Sequence, residues 1–460
     1  MEFADYLPLM MFAALALLLF TGYPVAFILG GVGLAFGFIG MAFGDFYFSF
    51  IQFFNLVPRL WGEGGGGIAA NLILTAIPMF IFMGTMLEKR GVATDLLRCL
   101  QVLLRRVPGG LALSVTILGT VMAATTGIIG ASVVMMTLLA LPEMMKRGYN
   151  MPLATGTIAS SGTLGILIPP SIMLVIMADL LARSVGNLFF AAFFPGLMLA
   201  VFYMIYIFVL CRLKPELAPP LPEDMGPDST AGLVKMILRS FIPPVFLVFL
   251  VLGSILFGWA APTEAAGVGA AGATLLAILN GKLTWSVLKD VVERSALTNA
   301  MIFGIFIGAS CFSYVFRSLG GDDLVIDLVE SLGFGSWGLL ILLMGIVFIL
   351  GFFFDWLELT LIVLPVFAPI VALLDFGDHV TGTDVIYWFA ILMAVNLQTS
   401  FLTPPFGFAL FYMKGAAPPG VNINQIYKGI IPFVILQLIG LGLVMAFPDI
   451  ALWLPREFLD

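Results

Sequence analysis

Small hydroxyl residues and glycines gather beside two Pro-Pro pairs, and the chemistry they offer is the capture of a hard monovalent cation. In the amino-terminal half the candidates are Thr126, Gly127, Gly130 and Ser132, followed by Thr163, Gly165, Ile168 and Pro169 in TLGILIPPS at 163–171. In the other half they are Gly351, Asp355, Gln398, Ser400, Thr403 and Phe406, the last four around SFLTPPF at 400–406. Sodium takes about five or six neutral or anionic oxygens and has no use for thiol or imidazole. Glycine and proline positions contribute through their carbonyls, and the carboxyl ends of half-helices add a negative dipole end that favours a cation. Small residues in membrane helices also serve close packing. The symmetric placement of the two sets is what favours an ion site.

The elements that must position these residues also come in pairs. Residues 132–142 read SVVMMTLLALP and residues 355–365 read DWLELTLIVLP, so Thr137, Leu138, Leu141 and Pro142 recur as Thr360, Leu361, Leu364 and Pro365. LIPP at 167–170 follows the first fragment and LTPP at 402–405 follows the second. Matching halves with proline- and glycine-broken apolar segments are the mark of a secondary transporter, whose site forms where broken helices meet near the bilayer midplane.

With 61% apolar and 10% charged residues in 460, the chain lacks the polar surface of a soluble domain and reads as an all-α polytopic membrane protein. Apolar stretches at 5–43, 68–87, 188–211, 241–260, 263–279, 296–316 and 429–447 meet the length needed to span, roughly twenty residues per pass. The first holds two short spans hinged at Gly22 and Pro24. Glu2 and Asp5 stand where a cleaved signal peptide needs positive charge, so the first span is expected to be kept. A net charge of −7 argues against a nucleic-acid partner. Cys99, Cys211 and Cys311 are too dispersed for a disulfide framework or a zinc site, and His379 reads as a solvated loop residue.

Lysine and arginine cluster at 89–106, 146–147, 212–239 and 282–294, with Lys414 and Lys428. Placing these inside leaves only Arg59, Arg183, Arg317 and Arg456 of the twenty basic residues outside. Residues 108–145 then start and finish on one side, which implies a re-entrant hairpin turning at TGIIGAS. The alternative, one long tilted helix, strands a basic pair outside. Residues 331–375 form the same hairpin from the opposite face, turning at GFFFDW. Each hairpin precedes a broken span, 153–185 and 384–413, because a mid-span Pro-Pro pair removes N–H donors and clashes with the preceding turn.

The expected architecture is two inverted-topology repeats, 1–211 and 233–460, joined by a cytoplasmic linker at 212–232. Each repeat has about five spans, one hairpin and an amphipathic arm, at 45–60 and 283–294. Asp355 and Glu358 lie within an apolar stretch, where an ionisable side chain is a functional candidate, open to binding a cation, taking a proton or pairing. Glu264 stands near a span end and is open to capping a helix. No lysine or arginine is placed at midplane, so a carboxylate substrate would rest on the half-helix amino termini after Pro170 and Pro405. Ser171 adds a hydroxyl there, and Thr163, Gln398 and Glu358 complete the substrate-binding candidates.

TGTIASSGTLGILIPPSI (155–172), LPEMMKRGY (141–149), APTEAAGVGA (261–270) and SFLTPPFGFALFYMKG (400–415) make the whole chain resemble the large membrane subunit of TRAP transporters, the tripartite ATP-independent periplasmic systems. The resemblance implies a sodium-driven importer of small organic acids, multi-pass in the bacterial inner membrane. It would work with a small DctQ-like membrane subunit and a periplasmic substrate-binding protein, by an elevator mechanism. Carried over by motif, one sodium site involves the first tip (Thr126, Gly127, Ser132) with Gly165, Ile168 and Pro169. The second involves Gly351 and Asp355 at its tip with Ser400, Thr403 and Phe406. The first tip is poorer in serine than the family's common form, and the second carries DWLE. No GxxxxGK motif followed by Ser or Thr is present, so neither ATP hydrolysis nor another cofactor is expected, only Na+ as coupling ion. A stand-alone exchanger of related architecture is the alternative reading; an intramembrane enzyme would need a nucleophile–base or metal constellation that the sequence does not offer.

Overall fold

The computed structural model describes residues 6–43, 55–62, 67–89, 91–126, 129–222, 226–227, 229–331, 333–405 and 407–458, and among these there is helix and no strand. Two short helices open the chain, α1 (Leu7–Leu19) and α2 (Val25–Phe43), turning where expected at Gly22, whose φ of 78° suits glycine. Most of the first arm lies outside the described residues; its end is α3 (Leu56–Trp61). Then come α4 (Ala76–Lys89) and α5 (Val92–Leu103).

The first hairpin is α6 (Gly110–Thr126) and α7 (Ile129–Lys146). Both helices pack along the same neighbour, α8 (Met151–Thr163), so the chain doubles back and is not one long tilted helix. A 3-10 turn, Leu164–Ile166, and the prolines separate α8 from α9 (Ile172–Leu180), and α10 (Val185–Leu213) closes this half.

The second half runs α11 (Thr230–Ser240), α12 (Ile242–Leu256), α13 (Pro262–Leu279), α14 (Trp285–Ser318) and α15 (Gly321–Ser331). The second hairpin is α16 (Ser336–Leu350) with α17 (Trp356–Ala372), and both helices pack on α18 (Asp384–Ser400). After that break come α19 (Phe408–Ala416), α20 (Ile423–Ala446) and α21 (Asp449–Phe458). Among the described residues seven helical segments are long and apolar enough to cross a bilayer, Val25–Phe43, Ile129–Lys146, Val185–Leu213, Thr230–Leu256, Pro262–Leu279, Trp285–Ser318 and Ile423–Ala446.

Helix starts follow local chemistry. Side chains of Asn150, Ser171, Ser184, Ser229 and Thr284 each accept the backbone N–H three residues on, capping α8, α9, α10, α11 and α14. Glu264 accepts the Ala261 N–H at 2.8 Å, so this acid caps α13. The second arm is not a separate helix: nothing between residues 294 and 296 breaks the chain, and arm and span fuse into the 34 residues of α14.

Two groups of helices pack among themselves. In one, α2 lies along α14 and α4 along α13. Small residues let the first pair meet closely, since a Cβ at Gly33 would lie 3.0 Å from the Phe312 nitrogen. In the other, each hairpin embraces the broken helix of its own half, and its second helix also touches the half-helix beyond the other break, α7 on α19 and α17 on α9. Glycine again sets the approach of α8 to α20, where a Cβ at Gly429 would run into the Pro152 carbonyl.

Candidate functional site

The prolines decide which carbonyls are available. Pro169 and Pro170 have no N–H, so the carbonyls four residues earlier, of Gly165 and Ile166, lose their helical donors. Ile166 is compensated by the Ser171 hydroxyl, which donates to it. Gly165 is the carbonyl left over. The second break repeats the logic with different atoms. Pro404 and Pro405 deprive Ser400 and Phe401, and the Ala409 N–H takes the Phe401 carbonyl at 3.3 Å. Ser400 is left with a carbonyl that loses its helical donor and, in addition, a buried hydroxyl that has no partner among the described residues. Both Pro-Pro bonds are cis.

Each of these two residues packs against a hairpin. At Gly165 the neighbour is Ala123 near the end of α6, 3.5 Å from where a Cβ would stand. Further along, Gly119 faces Ser161, and Gly162 faces Val133 and Met136. At Ser400 the neighbour is the second tip itself, where Gly351 closes α16 and a Cβ there would collide with the Ser400 hydroxyl. Thr403 donates its hydroxyl to the Thr399 carbonyl at 3.0 Å, leaving its lone pairs to accept or ligate.

The remaining predicted site residues fall into place unevenly. Ser132 is buried on α7, while Gly127 and Phe406 lie outside the described residues, as does the side chain of Thr126. Ile168 is buried against Gly196 of α10, and Pro169 is buried beside it. Thr163 donates to the Ser160 carbonyl at 2.9 Å. Gln398 is fully buried with both side-chain polar atoms unpartnered among the described residues.

A cavity of about 1020 Å3 joins the two halves. Its walls bring together Ile129 and Gly130 of the first hairpin, Asp355 to Glu358 of the second, Ile172 at the start of α9, and Phe408 and Tyr412 of α19. Helices α2 and α14 close the other side with Gly30, Gly31, Gly304 and Gly308. Of the four substrate-binding candidates, Glu358 lines this space; Thr163, Ser171 and Gln398 do not. Glu358 accepts the Asp355 N–H at 3.2 Å, so both acids sit at the first turn of α17, where the helix dipole favours negative charge. No lysine or arginine is among the described residues lining the cavity. The amino ends of α9 and α19 are what it offers to an anion.

Sequence reasoning missed Tyr412, whose ring packs over Gly130, although SFLTPPFGFALFYMKG already showed it one turn into a half-helix. Reading the residue four before each proline would have found Ile166 and Phe401. His379 departs from the solvated role expected of it: it is half-buried against Trp337 and Trp388, with Nε2 2.9 Å from the Met445 carbonyl. The three cysteines are buried.

The profile of the family described as "Tripartite ATP-independent periplasmic transporter, DctM component" matches residues 12–450. A C4-dicarboxylate TRAP transporter large permease protein, DctM of Pseudomonas aeruginosa, is 30% identical over 384 residues, which cover 83% of this chain and 86% of its own. The sialic acid TRAP transporter large permease protein SiaM of Vibrio cholerae is 26% identical, covering 96% and 97%. The isethionate TRAP transporter permease protein DctMQ of Oleidesulfovibrio alaskensis is 28% identical over 98% of this chain but 67% of its own length. In fold, the chain is similar to the crystal structure of the YdaH transporter of Alcanivorax borkumensis, with a TM-score of 0.54, 14% identity and 98% and 99% of the two chains covered.

Proposed function

Because the chain belongs to the DctM component family of the tripartite ATP-independent periplasmic transporters, we propose that it is the large permease of a sodium-coupled importer of small organic acids in a bacterial inner membrane. Permeases of this family are multi-pass transporters of organic acids and not enzymes, and they work with a small membrane subunit and a periplasmic binding protein. In the DctMQ relative a single longer chain carries the permease.

The observation that supports sodium coupling is that Gly165 and Ser400, each four residues before the first proline of a pair and so deprived of a helical donor for its carbonyl, both pack against a hairpin. Neutral oxygens with no competing donor suit Na+. Gly165, with Ser132, Ile168 and Pro169, would hold one ion. Ser400 through carbonyl and hydroxyl, Thr403 and the Gly351 tip would hold the other. Asp355 adds negative potential from the cavity wall, and the amino ends of α9 and α19 would receive the substrate carboxylate.

Two inverted repeats, and movement of the hairpins with their broken helices against α2, α4, α13 and α14, form the mechanical half of the proposal. It is supported by the reciprocal packing of the helices, α2 on α14 matched by α4 on α13, and α7 on α19 matched by α17 on α9. The test is uptake of candidate acids into proteoliposomes containing this chain and its small partner, with the binding protein outside. Uptake that requires both an inward sodium gradient and the binding protein is expected; uptake indifferent to sodium would sink the coupling.

A further inference from the structure

A second cavity, of about 430 Å3, opens between α5, α11 and the end of α13, away from the transport site. Its charged walls are Lys235 and Arg239 of α11, Lys282 just beyond α13, and Asp95 of α5. Lys282 lies 3.7 Å from Asp95, whereas Lys235 and Arg239 form no ion pair among the described residues. Three cations against one carboxylate leave two positive charges in excess around this space. Some cations elsewhere on the same basic face are matched. Lys89 reaches Asp290 at 2.5 Å, Arg294 reaches the same carboxylate at 3.0 Å, and Arg147 reaches Glu143 at 2.6 Å.

The position of the excess charge is as informative as its sign. Helix α11 leads directly into α12, and the two make up one bilayer-length segment, Thr230–Leu256. At about 1.5 Å per residue, Arg239 and Lys235 lie roughly 5 and 10 Å before Ile242, at the depth of headgroups beside a hydrocarbon core that begins with α12. Next to them the same helices leave Val234, Leu238, Ile242 and Phe246 between 42% and 61% exposed. Cations facing a cavity beside exposed aliphatic and aromatic side chains match the two parts of a phospholipid.

We propose that this cavity binds the phosphodiester headgroup of an anionic phospholipid, with Arg239, Lys235 and Lys282 around the phosphate and the acyl chains along Leu238 and Phe246. The guanidinium of Arg239 presents a planar pair of donors that suits phosphate oxygens, and two excess charges favour an anionic lipid over a zwitterionic one that brings its own cation. Such a lipid would tie the linker helix to α5 and α13. The competing occupant is the acidic part of the linker itself, Glu223, Asp224 and Asp228, which lie outside the described residues.

The test is lipid retention by the delipidated, detergent-purified full chain, read by native mass spectrometry and thermal unfolding, with phosphatidylglycerol, phosphatidylcholine or glycerol phosphate added. Phosphatidylglycerol should bind saturably and raise the unfolding temperature at concentrations roughly tenfold below those at which phosphatidylcholine does. Lys235→Gln with Arg239→Gln should abolish that preference, Arg239→Lys should retain most of it, and 0.5 M salt should weaken it, about as expected for partly exposed charges. Equal retention of both lipids, or an unchanged preference in the double variant, would overturn the proposal. So would equal stabilisation by glycerol phosphate, which would make the ligand a soluble phosphate. If Glu223→Gln, Asp224→Asn and Asp228→Asn together were needed before phosphatidylglycerol bound, the linker would be the natural occupant.

Discussion

The two breaks share a backbone and differ in what the backbone is dressed with. Aligned on their prolines, Gly165 corresponds to Ser400 and Thr163 to Gln398; aligned on the hairpin fragments, Ser132 corresponds to Asp355, Met135 to Glu358 and Thr137 to Thr360. In the first half the hydroxyls matching those of the second are satisfied, Thr137 on the Val133 carbonyl at 2.7 Å and Thr163 on the Ser160 carbonyl at 2.9 Å, although Thr157 on the same broken helix is buried with its hydroxyl unpartnered among the described residues. In the second half Thr360, Gln398 and Ser400 are buried with side-chain polar atoms unpartnered among the described residues, and two carboxylates stand at the tip. A buried polar atom without a partner costs about 1–3 kcal/mol, so three residues carrying such atoms around the second break and its hairpin favour a bound partner there. We read the first site as built from carbonyls and the second from carbonyls plus side chains, and hypothesise that the second binds its ion more tightly.

Space at the two glycines separates these sites most sharply. At Gly351 an added methyl would meet the Ser400 hydroxyl and lie 2.8 Å from Ser400 Cβ, a contact that turning the hydroxyl away does not relieve. At Gly165 the nearest atom is at 3.5 Å, ordinary contact. Gly351→Ala should therefore displace the tip at an overpacking cost of about 1–3 kcal/mol and lower sodium-dependent uptake roughly 10- to 100-fold. Gly165→Ala should leave uptake within about twofold of the parent. Initial uptake rates at matched protein levels decide this, and equal losses in both variants would erase the distinction.

The acids come next in size. Without a lysine or arginine among the described residues of the cavity, Asp355 and Glu358 set its sign. Asp355→Asn should raise the sodium concentration for half-maximal uptake roughly tenfold, as the loss of a negative charge near the ion. Glu358→Gln keeps the acceptor for the Asp355 N–H and should alter substrate preference more than sodium dependence. A Ser132→Ala variant as damaging to sodium dependence as Asp355→Asn would argue against a stronger second site.

Much of this was legible because proline and glycine act locally. The Pro-Pro pairs, the repeated Thr-Leu-x-x-Leu-Pro and the lengths of the apolar runs located both hairpins and both breaks without tertiary information. The helices α5, α15 and α21 were not seen: they are short, and their charges are spread through sequences such as VATDLLRCLQVL at 92–103, so neither length nor polarity marks them out. The continuity of α14 was hidden because a change from charged to apolar composition looks like a boundary when the backbone has none. Thr163 and Gln398 were assigned to a substrate cavity they do not line, since a helix apolar on every side gives no signal of which face meets a cavity.

The smallest effects offer the finest separation, because the two serines beside the breaks hold their hydroxyls differently. Ser171 donates to the Ile166 carbonyl and caps α9 through the Leu174 N–H, so its hydroxyl is structural. Ser171→Ala should cost about 1–2 kcal/mol and lower the unfolding temperature of the purified chain, with sodium half-saturation unchanged. Ser400 spends its hydroxyl on nothing within the described chain. Ser400→Ala relieves a buried unsatisfied group and should leave stability in sodium-free buffer equal or higher by up to about 1 kcal/mol, yet raise sodium half-saturation roughly threefold. The pair thus predicts a crossing, one variant losing stability and keeping sodium affinity, the other the reverse. If Ser171→Ala instead raised sodium half-saturation as much as Ser400→Ala, the hydroxyl of the first break would be part of an ion site, and the contrast between a carbonyl site and a side-chain site would fail at its most specific point.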